Sequence, residues 1–309
     1  MSASPAWVTD DIAIALIALA LLFPAIIILA ILIRTKLGSP ILFRQIRPGI
    51  HGKLFKMIKF GKLTHPGRDI IKEINKVKRF GFDYVEIGIE PLTDFTILRK
   101  YKLAILNSLK LFNNPPVGHT AWWYDLSSTY DAVRNAWIKQ GKIDIKIASE
   151  LGIKLLNFHF QVPSYILLKN QGSRDIILNN YIKSFKDLVK FAESKNITLM
   201  LENGEEKFEY YKYVLDNVPE LKVHFDVGHA FISGGIKTIK KFISYFGDRI
   251  THIHIHDNHG KQDEHLALKK GKINWKKVVH MLKKSNYDKT ITFEVFKSEK
   301  DLIKSREYF

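Results

Sequence analysis

The sequence predicts an α/β protein, a (β/α)8 TIM barrel preceded by an N-terminal hydrophobic membrane helix. From residue 57 onward, short runs rich in β-branched and aromatic residues alternate with amphipathic runs, a pattern typical of βα units around a parallel sheet. Eight such units over about 250 residues match the count and size of this barrel. A doubly wound open sheet is the alternative, but no Gly-x-Gly-x-x-Gly segment follows the first predicted strand.

The eight predicted strands and the longer predicted helices follow from these runs. The strands are predicted at 57–63, 84–88, 117–121, 154–160, 198–202, 222–226, 252–256 and 290–295. Helices are predicted between them, for example at 69–80, 130–151, 176–195 and 275–285. The carboxyl ends of barrel strands meet at one rim, where barrels of this kind carry their functional groups.

Composition limits the chemistry that the chain can perform. The 309 residues contain no cysteine, which excludes disulfides and thiolate metal sites, so a metal must bind His, Asp, Glu or water. The formal net charge of +17 favours an anionic partner such as nucleic acid, anionic lipid or a phosphorylated small molecule. The lysines are spread along the chain and not concentrated in one run, however, so a solvated lysine-rich surface is an equal alternative.

An uncharged apolar run at 12–33 is long enough to cross a hydrocarbon core of roughly 30 Å. Asp10 and Asp11 precede the run without any Lys or Arg, which argues against a secretory signal peptide. Basic residues follow from Arg34 onward and predict that the rest of the chain lies on the cytoplasmic side of a membrane. Pro24 can kink the helix, so a spanning and a re-entrant anchor both remain open.

The segment after this run carries the motif F-x-Q-x-R-P-G. Its matching residues are Phe43, Gln45, Arg47, Pro48, Gly49 and Phe55. Residues 1–60 resemble the N-terminal membrane segment of bacterial polyprenyl-phosphate sugar-1-phosphate transferases. The catalytic Asp-Glu pair of that family lies in a following domain, and the one Asp-Glu step here, Asp263-Glu264, has another context. The resemblance therefore implies a membrane-anchoring helix and basic linker at 1–56, fused to a barrel at 57–309, without transferase activity.

The run from Arg249 to His265 is the most informative stretch for chemistry. His252, His254 and His256 alternate with isoleucines, so a strand would place the three imidazoles on one face. Beside Asp257, Asp263 and Glu264, such a ladder offers nitrogen and oxygen ligands to a divalent cation. The alternative is a half-exposed strand whose polar face meets water.

Titratable residues also occur at the ends of the other predicted strands. They are Glu86, Glu90, His119, His159, Glu202, Asp226, His229, His254, His256, Asp263, His265 and Glu294. Isolated carboxylates in apolar runs are costly to bury, but a shared cation can neutralise a ring of them. The pattern therefore predicts a metal site at the rim.

Five motifs connect residues 57–309 with a second family. They are Phe82-Asp-Tyr-Val-Glu-Ile-Gly88, Leu201-Glu-Asn203, Asp226-Val-Gly-His229, His254-Ile-His-Asp-Asn258 and the segment 263–275. These resemble the xylose isomerase-like TIM barrels (the AP endonuclease family 2 superfamily), which include sugar phosphate isomerases and epimerases and endonuclease IV. The sugar branch implies one divalent cation (Mn²⁺, Mg²⁺ or Co²⁺) held by Glu202, Asp226, His254 and Glu294.

The endonuclease branch implies a different activity for the same rim. Its additional ligands would be His119, His159, His229, Asp263 and His265, holding a Zn²⁺ cluster that cleaves DNA at abasic sites. Acidic residues in Asn203-Gly-Glu-Glu-Lys207 would be unfavourable beside a phosphate backbone, which favours the sugar enzyme. Lys269-Lys270 departs from the sugar branch and leaves the substrate open. A non-catalytic sugar-binding barrel and a part in a sugar transferase system are further alternatives.

The expected reaction is isomerisation or epimerisation of a small carbohydrate or sugar phosphate by a membrane-tethered enzyme. Glu202 and Glu294 are the predicted acid–base pair, because two carboxylates beside a cation can move a proton between carbons. His229, His159, His119 and Trp122 are the predicted substrate-binding residues. Association into a homo-oligomer stays open, membrane lipid is the predicted partner of residues 12–33, and DNA is a partner only in the endonuclease alternative.

Overall fold

The computed structural model describes residues 59–64, 68–90, 95–161 and 169–309, together with position 24. Within these residues eight strands alternate with helices. The strands are β1 (Lys59–Leu63), β2 (Tyr84–Ile89), β3 (Val117–Thr120), β4 (Leu155–His159), β5 (Thr198–Glu202), β6 (Lys222–Asp226), β7 (Ile250–Ile255) and β8 (Thr290–Phe293). The helices are α1 (Ile70–Arg79), α2 (Phe95–Lys100), α3 (Lys102–Leu109), α4 (Asp131–Glu150), α5 (Gln171–Glu193), α6 (Phe208–Asn217), α7 (Val227–Phe246), α8 (Trp275–Lys284) and α9 (Glu299–Tyr308).

All eight strands pair in parallel and in chain order, and β8 closes on β1. The closing register places Lys59 opposite Thr290 and Lys62 opposite Phe293. The predicted (β/α)8 barrel is therefore confirmed. β7 begins at Ile250, two residues before its predicted start, because Ile250 pairs with Val223 of β6.

The bore of the barrel is apolar at one end and polar at the other. Tyr84 and Val117, the first residues of β2 and β3, form a small buried apolar cluster with Met200 in the middle of β5. The hydroxyl group of Tyr84 lies 2.9 Å from Oγ1 of Thr292, which satisfies its polar end inside the bore. The titratable side chains lie farther along the strands, so the site forms on a closed apolar floor.

Side-chain caps define where several helices begin. Oδ1 of Asp69 accepts hydrogen bonds from the amides of Ile71 and Lys72 at 3.0 and 3.1 Å, which starts α1. Asn274 caps α8 by accepting from Lys277 N at 3.1 Å. α7 is interrupted at Gly234 and Gly235, whose backbone angles are non-helical.

Asp144 on α4 gives the fold a pH dependence of its own. Burial raises the pKa of this carboxyl to about 7 in the folded chain, against an ordinary value of 3.8. Tyr124 and Gln140 donate hydrogen bonds to it. The folded carboxyl keeps its proton where the unfolded one has lost it, so the stability present below pH 3.8 is lost as pH rises toward 7.

We expect Asp144→Asn to remove a pH dependence of stability on the order of 4 kcal/mol between pH 4 and pH 7. Urea unfolding of both proteins at several pH values measures the difference. Subtracting the two curves cancels the titration of groups that they share. Parallel curves for the two proteins would contradict the expectation.

The predicted membrane anchor lies almost entirely outside the residues that the structure describes. None of the helices in the described residues is long and apolar enough to cross a membrane. Apart from Pro24, the predicted anchor at 12–33 lies outside the described residues. The barrel belongs to the second of two units into which the chain divides, Lys56–Phe309.

Candidate metal centre

Glu202 lies at the centre of the polar rim. Its Oε2 atom accepts a hydrogen bond from Asn157 Nδ2 at 2.5 Å and lies 3.2 Å from His159 Nε2. His119 Nε2 is 3.6 Å from the same oxygen. On the other side, Oε1 lies 3.6 Å from His254 Nδ1. Side chains from β3, β4, β5 and β7 therefore converge on this one carboxylate, as the sequence predicted.

Glu294 and Glu202 both approach the same ring nitrogen of His254. Nδ1 of His254 lies 3.2 Å from Glu294 Oε2 and 3.6 Å from Glu202 Oε1. The opposite nitrogen, Nε2, lies 2.9 Å from Glu86 Oε2. Because Glu86 holds the far side of the ring, Nδ1 is directed between the two carboxylates. This is the orientation that a metal-binding histidine obtains from a supporting carboxylate.

Hydrogen bonds to its backbone fix Asp226 at the end of β6. Asn203 bonds to both its amide nitrogen and its carbonyl oxygen, at 2.9 and 3.0 Å. Oδ1 accepts from the amide of His229 at 2.6 Å and caps α7. Oδ2 is buried and has no hydrogen-bond partner among the described residues. One carboxylate oxygen thus stabilises the helix start, and the other remains available as a ligand.

A second cluster of ligands adjoins Asp226 on the outer side. His256 Nε2 lies 3.3 Å from Asp226 Oδ1 and 3.5 Å from Asp263 Oδ1. Asp263 Oδ2 is 3.2 Å from His229 Nε2 and 2.9 Å from His265 Nε2. His265 has a positive φ of 45°. Backbone strain of this kind tends to occur at functional sites, where the surrounding structure supports it.

The charges of the rim are strongly coupled. Burial raises the pKa of Glu202, but His224, His159 and His254 outweigh it and hold that pKa well below its usual range. Burial likewise raises the pKa of Glu294, and His254 lowers it to about 2. Both carboxyl groups are therefore ionised at neutral pH. A cation that binds between them would displace protons from the imidazoles.

The donor set fits a divalent cation. We call Glu202, Asp226, His254 and Glu294 the rim group. Nδ1 of His254 and Oδ2 of Asp226 are buried without hydrogen-bond partners in the described part of the chain. Sets that contain or adjoin these residues have ligand atoms within 4.8 Å of one another, among them His119–His159–Glu202, Asp226–His229–His256 and His256–Asp263–His265. Mixed carboxylate and imidazole ligands suit Mn²⁺, Co²⁺ or Zn²⁺.

Two acidic residues of the predicted ladder do not belong to this centre. Asp257 is fully buried, and its two oxygens accept from the amides of Asn258, Ile273 and Lys269 and from Trp275 Nε1. Glu264 pairs instead with His259 at 2.8 Å. Their expected role as metal ligands is wrong, because both carboxylates form hydrogen bonds within the loop at 257–275. The water-facing alternative for the histidines is also wrong, because His252, His254 and His256 are fully buried.

Sequence reasoning missed two residues of the centre. His224 on β6 lies 3.4 Å from Glu202 Oε2 through Nδ1, and Asn157 on β4 donates to the same oxygen. Each stands two positions before a predicted ligand, Asp226 and His159, so strand alternation placed them on the same face. Trp122, the predicted apolar wall, is about half exposed (55%) and packs edge-to-face against Trp123. Its contact with a substrate stays a prediction.

Gly228 leaves room for the ring of His256. An added Cβ at this position would stand 2.1 Å from Cε1 and 2.3 Å from Nε2 of that ring. We expect Gly228→Ala to displace His256 from Asp226 and Asp263 and to weaken zinc binding at least about tenfold, measured by competition with a chelator. Gly172→Ala, in the first turn of α5, is the matched control, because its Cβ would meet only Asn170 Oδ1 at 3.5 Å. Equal zinc affinity in the two variants would contradict the expectation.

The closed barrel and its ring of imidazoles and carboxylates define a TIM barrel with a candidate metal centre at the strand ends. The chain belongs to the xylose isomerase-like TIM barrel family, whose model matches residues 74–309. A bacterial sugar transferase model matches residues 6–82. Both resemblances seen in the sequence are thereby confirmed, and their matches overlap at 74–82.

Three known proteins are similar to this chain. The uncharacterized protein MJ1614 of Methanocaldococcus jannaschii is 32% identical over 216 residues, covering 68% of this chain and 81% of that protein. A probable endonuclease 4 of Aquifex aeolicus is 24% identical, covering 77% of this chain and 91% of that protein. A D-tagatose 3-epimerase-like protein superposes with a TM-score of 0.69 at 24% identity, covering 81% and 95% of the two chains.

Proposed function

We propose that the barrel is a divalent-metal-dependent isomerase or epimerase of a small carbohydrate or sugar phosphate. The observation that carries the proposal is the pair of carboxylates on either side of His254 Nδ1, Glu202 at 3.6 Å and Glu294 at 3.2 Å. The fold shared with an epimerase-like protein supports it. A cation bound to the rim group would polarise a carbonyl and its neighbouring hydroxyl.

The two carboxylates supply the proton chemistry. Glu202 removes a proton from the carbon next to the substrate carbonyl, because its charge is kept by the surrounding imidazoles. Return of that proton to the neighbouring carbon, together with transfer of a hydroxyl proton from one oxygen of the enediol to the other, isomerises the sugar. Delivery of a proton to the opposite face by Glu294 inverts the centre instead. His229, His159 and His119 line the same rim and orient the hydroxyl groups.

Exchange with solvent tests this proposal directly. The full-length protein, loaded with Mn²⁺ or Co²⁺, is incubated in heavy water with a panel of ketopentoses, ketohexoses and their phosphates. We expect deuterium to enter at least one sugar, to stop on adding a chelator and to resume on restoring the metal. A metal-loaded protein that exchanges no proton in any of these sugars would contradict the proposal.

A second candidate is a metal-dependent phosphodiesterase that cleaves abasic DNA. The specific observation in its favour is that all nine residues of the multinuclear set lie in contiguous groups at one rim. The net charge of +17 and the probable endonuclease 4 relative support it. Zinc-dependent cleavage of an abasic oligonucleotide, lost in His265→Asn, would favour this candidate. Sugar exchange that survives His265→Asn would favour the isomerase.

We also propose that residues 12–33 tether the barrel to a membrane, with the barrel on the cytoplasmic side. The uncharged run and the match of a bacterial sugar transferase model over 6–82 support this. Deleting residues 1–56 should move the protein from the membrane fraction to the soluble fraction. Continued sedimentation of the truncated chain with membranes would contradict the tether.

A further inference from the structure

A second set of ligands lies inside the bore, beneath the rim. We call it the inner group: Glu86, His224, His252 and His254, all fully buried. Glu86 Oε2 lies 3.1 Å from His252 Nε2 and 2.9 Å from His254 Nε2. The centroid of the His224 ring lies 4.6 Å from the ring centroid of His252 and 3.9 Å from that of His254. Only His254 is shared with the rim group.

Hydrogen bonding within the described residues does not satisfy the inner group. Neither ring nitrogen of His224 forms a hydrogen bond there, although Nδ1 lies 3.4 Å from Glu202 Oε2 of the rim group, and Oε1 of Glu86 has no partner. Each buried polar atom left in this way costs about 1–3 kcal/mol, and a bound ion is one of the usual reasons for such atoms. A proton shared between Glu86 and the two histidines would satisfy only Oε2 of Glu86. The ring nitrogens of His224 would still lack hydrogen bonds.

The distances suit a four-coordinate ion. Ligands at about 2.0–2.1 Å from a tetrahedral zinc stand about 3.3 Å from one another. The contacts from Glu86 Oε2 to the two Nε2 atoms, at 2.9 and 3.1 Å, are close to that separation. One ring nitrogen from each of His224, His252 and His254 lies within 4.8 Å of the other two. Through its contacts with His252 and His254, Glu86 adds a carboxylate oxygen to this cluster of nitrogens.

A supporting contact fixes the nitrogen that His252 presents. Nδ1 of His252 lies 2.7 Å from Oγ1 of Thr290, which leaves Nε2 facing Glu86. A hydroxyl or carboxylate on the far nitrogen is the usual way in which proteins orient a metal-binding histidine. Three imidazoles and one carboxylate from the protein would fill a tetrahedral ion, as in closed structural zinc sites.

We propose that Glu86, His224, His252 and His254 bind a second, zinc-class divalent cation inside the barrel, separate from the rim group. His254 then bridges two ions as an imidazolate, with Nε2 toward the inner ion and Nδ1 toward the rim, and its ring N–H proton passes to solvent. When the inner ion is absent, Nε2 keeps that proton and donates it to Glu86. The inner ion takes no part in substrate binding, because the protein supplies all four ligands. The proposal holds for either function of the rim, and a failure of sugar exchange has no bearing on it.

The test separates the two sites by variants of the full-length protein. Zinc is loaded, weakly held metal is removed with a chelator, and the zinc retained per chain is measured. We expect His224→Leu to lose one equivalent relative to the wild type. Glu294→Gln, which alters only the rim, should retain that equivalent. His280→Asn, an exposed histidine on α8, is the control and should match the wild type.

Cobalt substitution supplies a second readout, which does not depend on the folding of the His224 variant. A four-coordinate site gives Co²⁺ an intense visible absorption, whereas a six-coordinate site filled out by water gives a weak one. We expect the intense band in the wild type and in Glu294→Gln, and its loss in His224→Leu. Equal zinc content in the wild type and His224→Leu would overturn the proposal. So would the lack of the intense band in both the wild type and Glu294→Gln.

Discussion

Glu202→Gln is expected to reduce turnover of the proposed isomerase or epimerase by about 10⁴-fold, the upper end for a general base. The amide has no basic oxygen for the substrate proton. It also replaces one carboxylate oxygen with an NH₂ group beside the donors Asn157 Nδ2 and His159 Nε2, at 2.5 and 3.2 Å. The variant therefore loses a base and a ligand of the rim group while keeping the shape of the side chain.

The rate of deuterium exchange at saturating metal measures this effect. Glu209→Gln is the matched control, because Glu209 lies shortly after the same strand, on α6, and pairs with Lys241 at the surface. We expect the control to exchange at the wild-type rate. Thermal unfolding of both variants checks that the barrel is intact. Wild-type exchange by Glu202→Gln would remove Glu202 from the mechanism.

The barrel could be predicted from the sequence because its signals are local. Each strand is a short apolar run, and each helix is amphipathic, so the order of elements alone defines the topology. The alternation of histidines with isoleucines in β7 likewise predicted that His252, His254 and His256 share one face. The structure shows that this face points into the bore, where all three are fully buried.

The inner group and the 257–275 loop depend on contacts between distant residues. Glu86 meets His252 and His254 across 166 and 168 positions of the chain. His224 stands between Val223 and Phe225 in a run that reads as an ordinary buried strand. Asp257 follows the histidine ladder directly and has the chemistry of a ligand. Only the folded chain shows that loop amides and an indole already occupy its oxygens.

Asp257→Asn is expected to destabilise the folded chain by about 3–5 kcal/mol, since hydrogen bonds to a charged group contribute about 1.5–3 kcal/mol each. Oδ1 accepts from Asn258 N and Ile273 N at 2.9 and 3.2 Å, and Oδ2 accepts from Lys269 N and Trp275 Nε1 at 2.8 and 2.9 Å. An amide retains one acceptor oxygen but turns an NH₂ group toward two other donors. At least two buried N–H groups then lose their partner.

Urea unfolding at neutral pH measures the loss, with Asp175→Asn on the exposed side of α5 as the control. A loss below about 1 kcal/mol would show that the loop does not depend on this carboxylate. The loop carries Asp263 and His265, whereas Glu202, His254 and Glu294 come from β5, β7 and the end of β8. An isomerase that works through the rim group should therefore keep most of its turnover in Asp257→Asn at temperatures where the variant is folded. A phosphodiesterase that also requires Asp263 and His265 should lose its activity together with the loop, so the same variant distinguishes the two candidate functions.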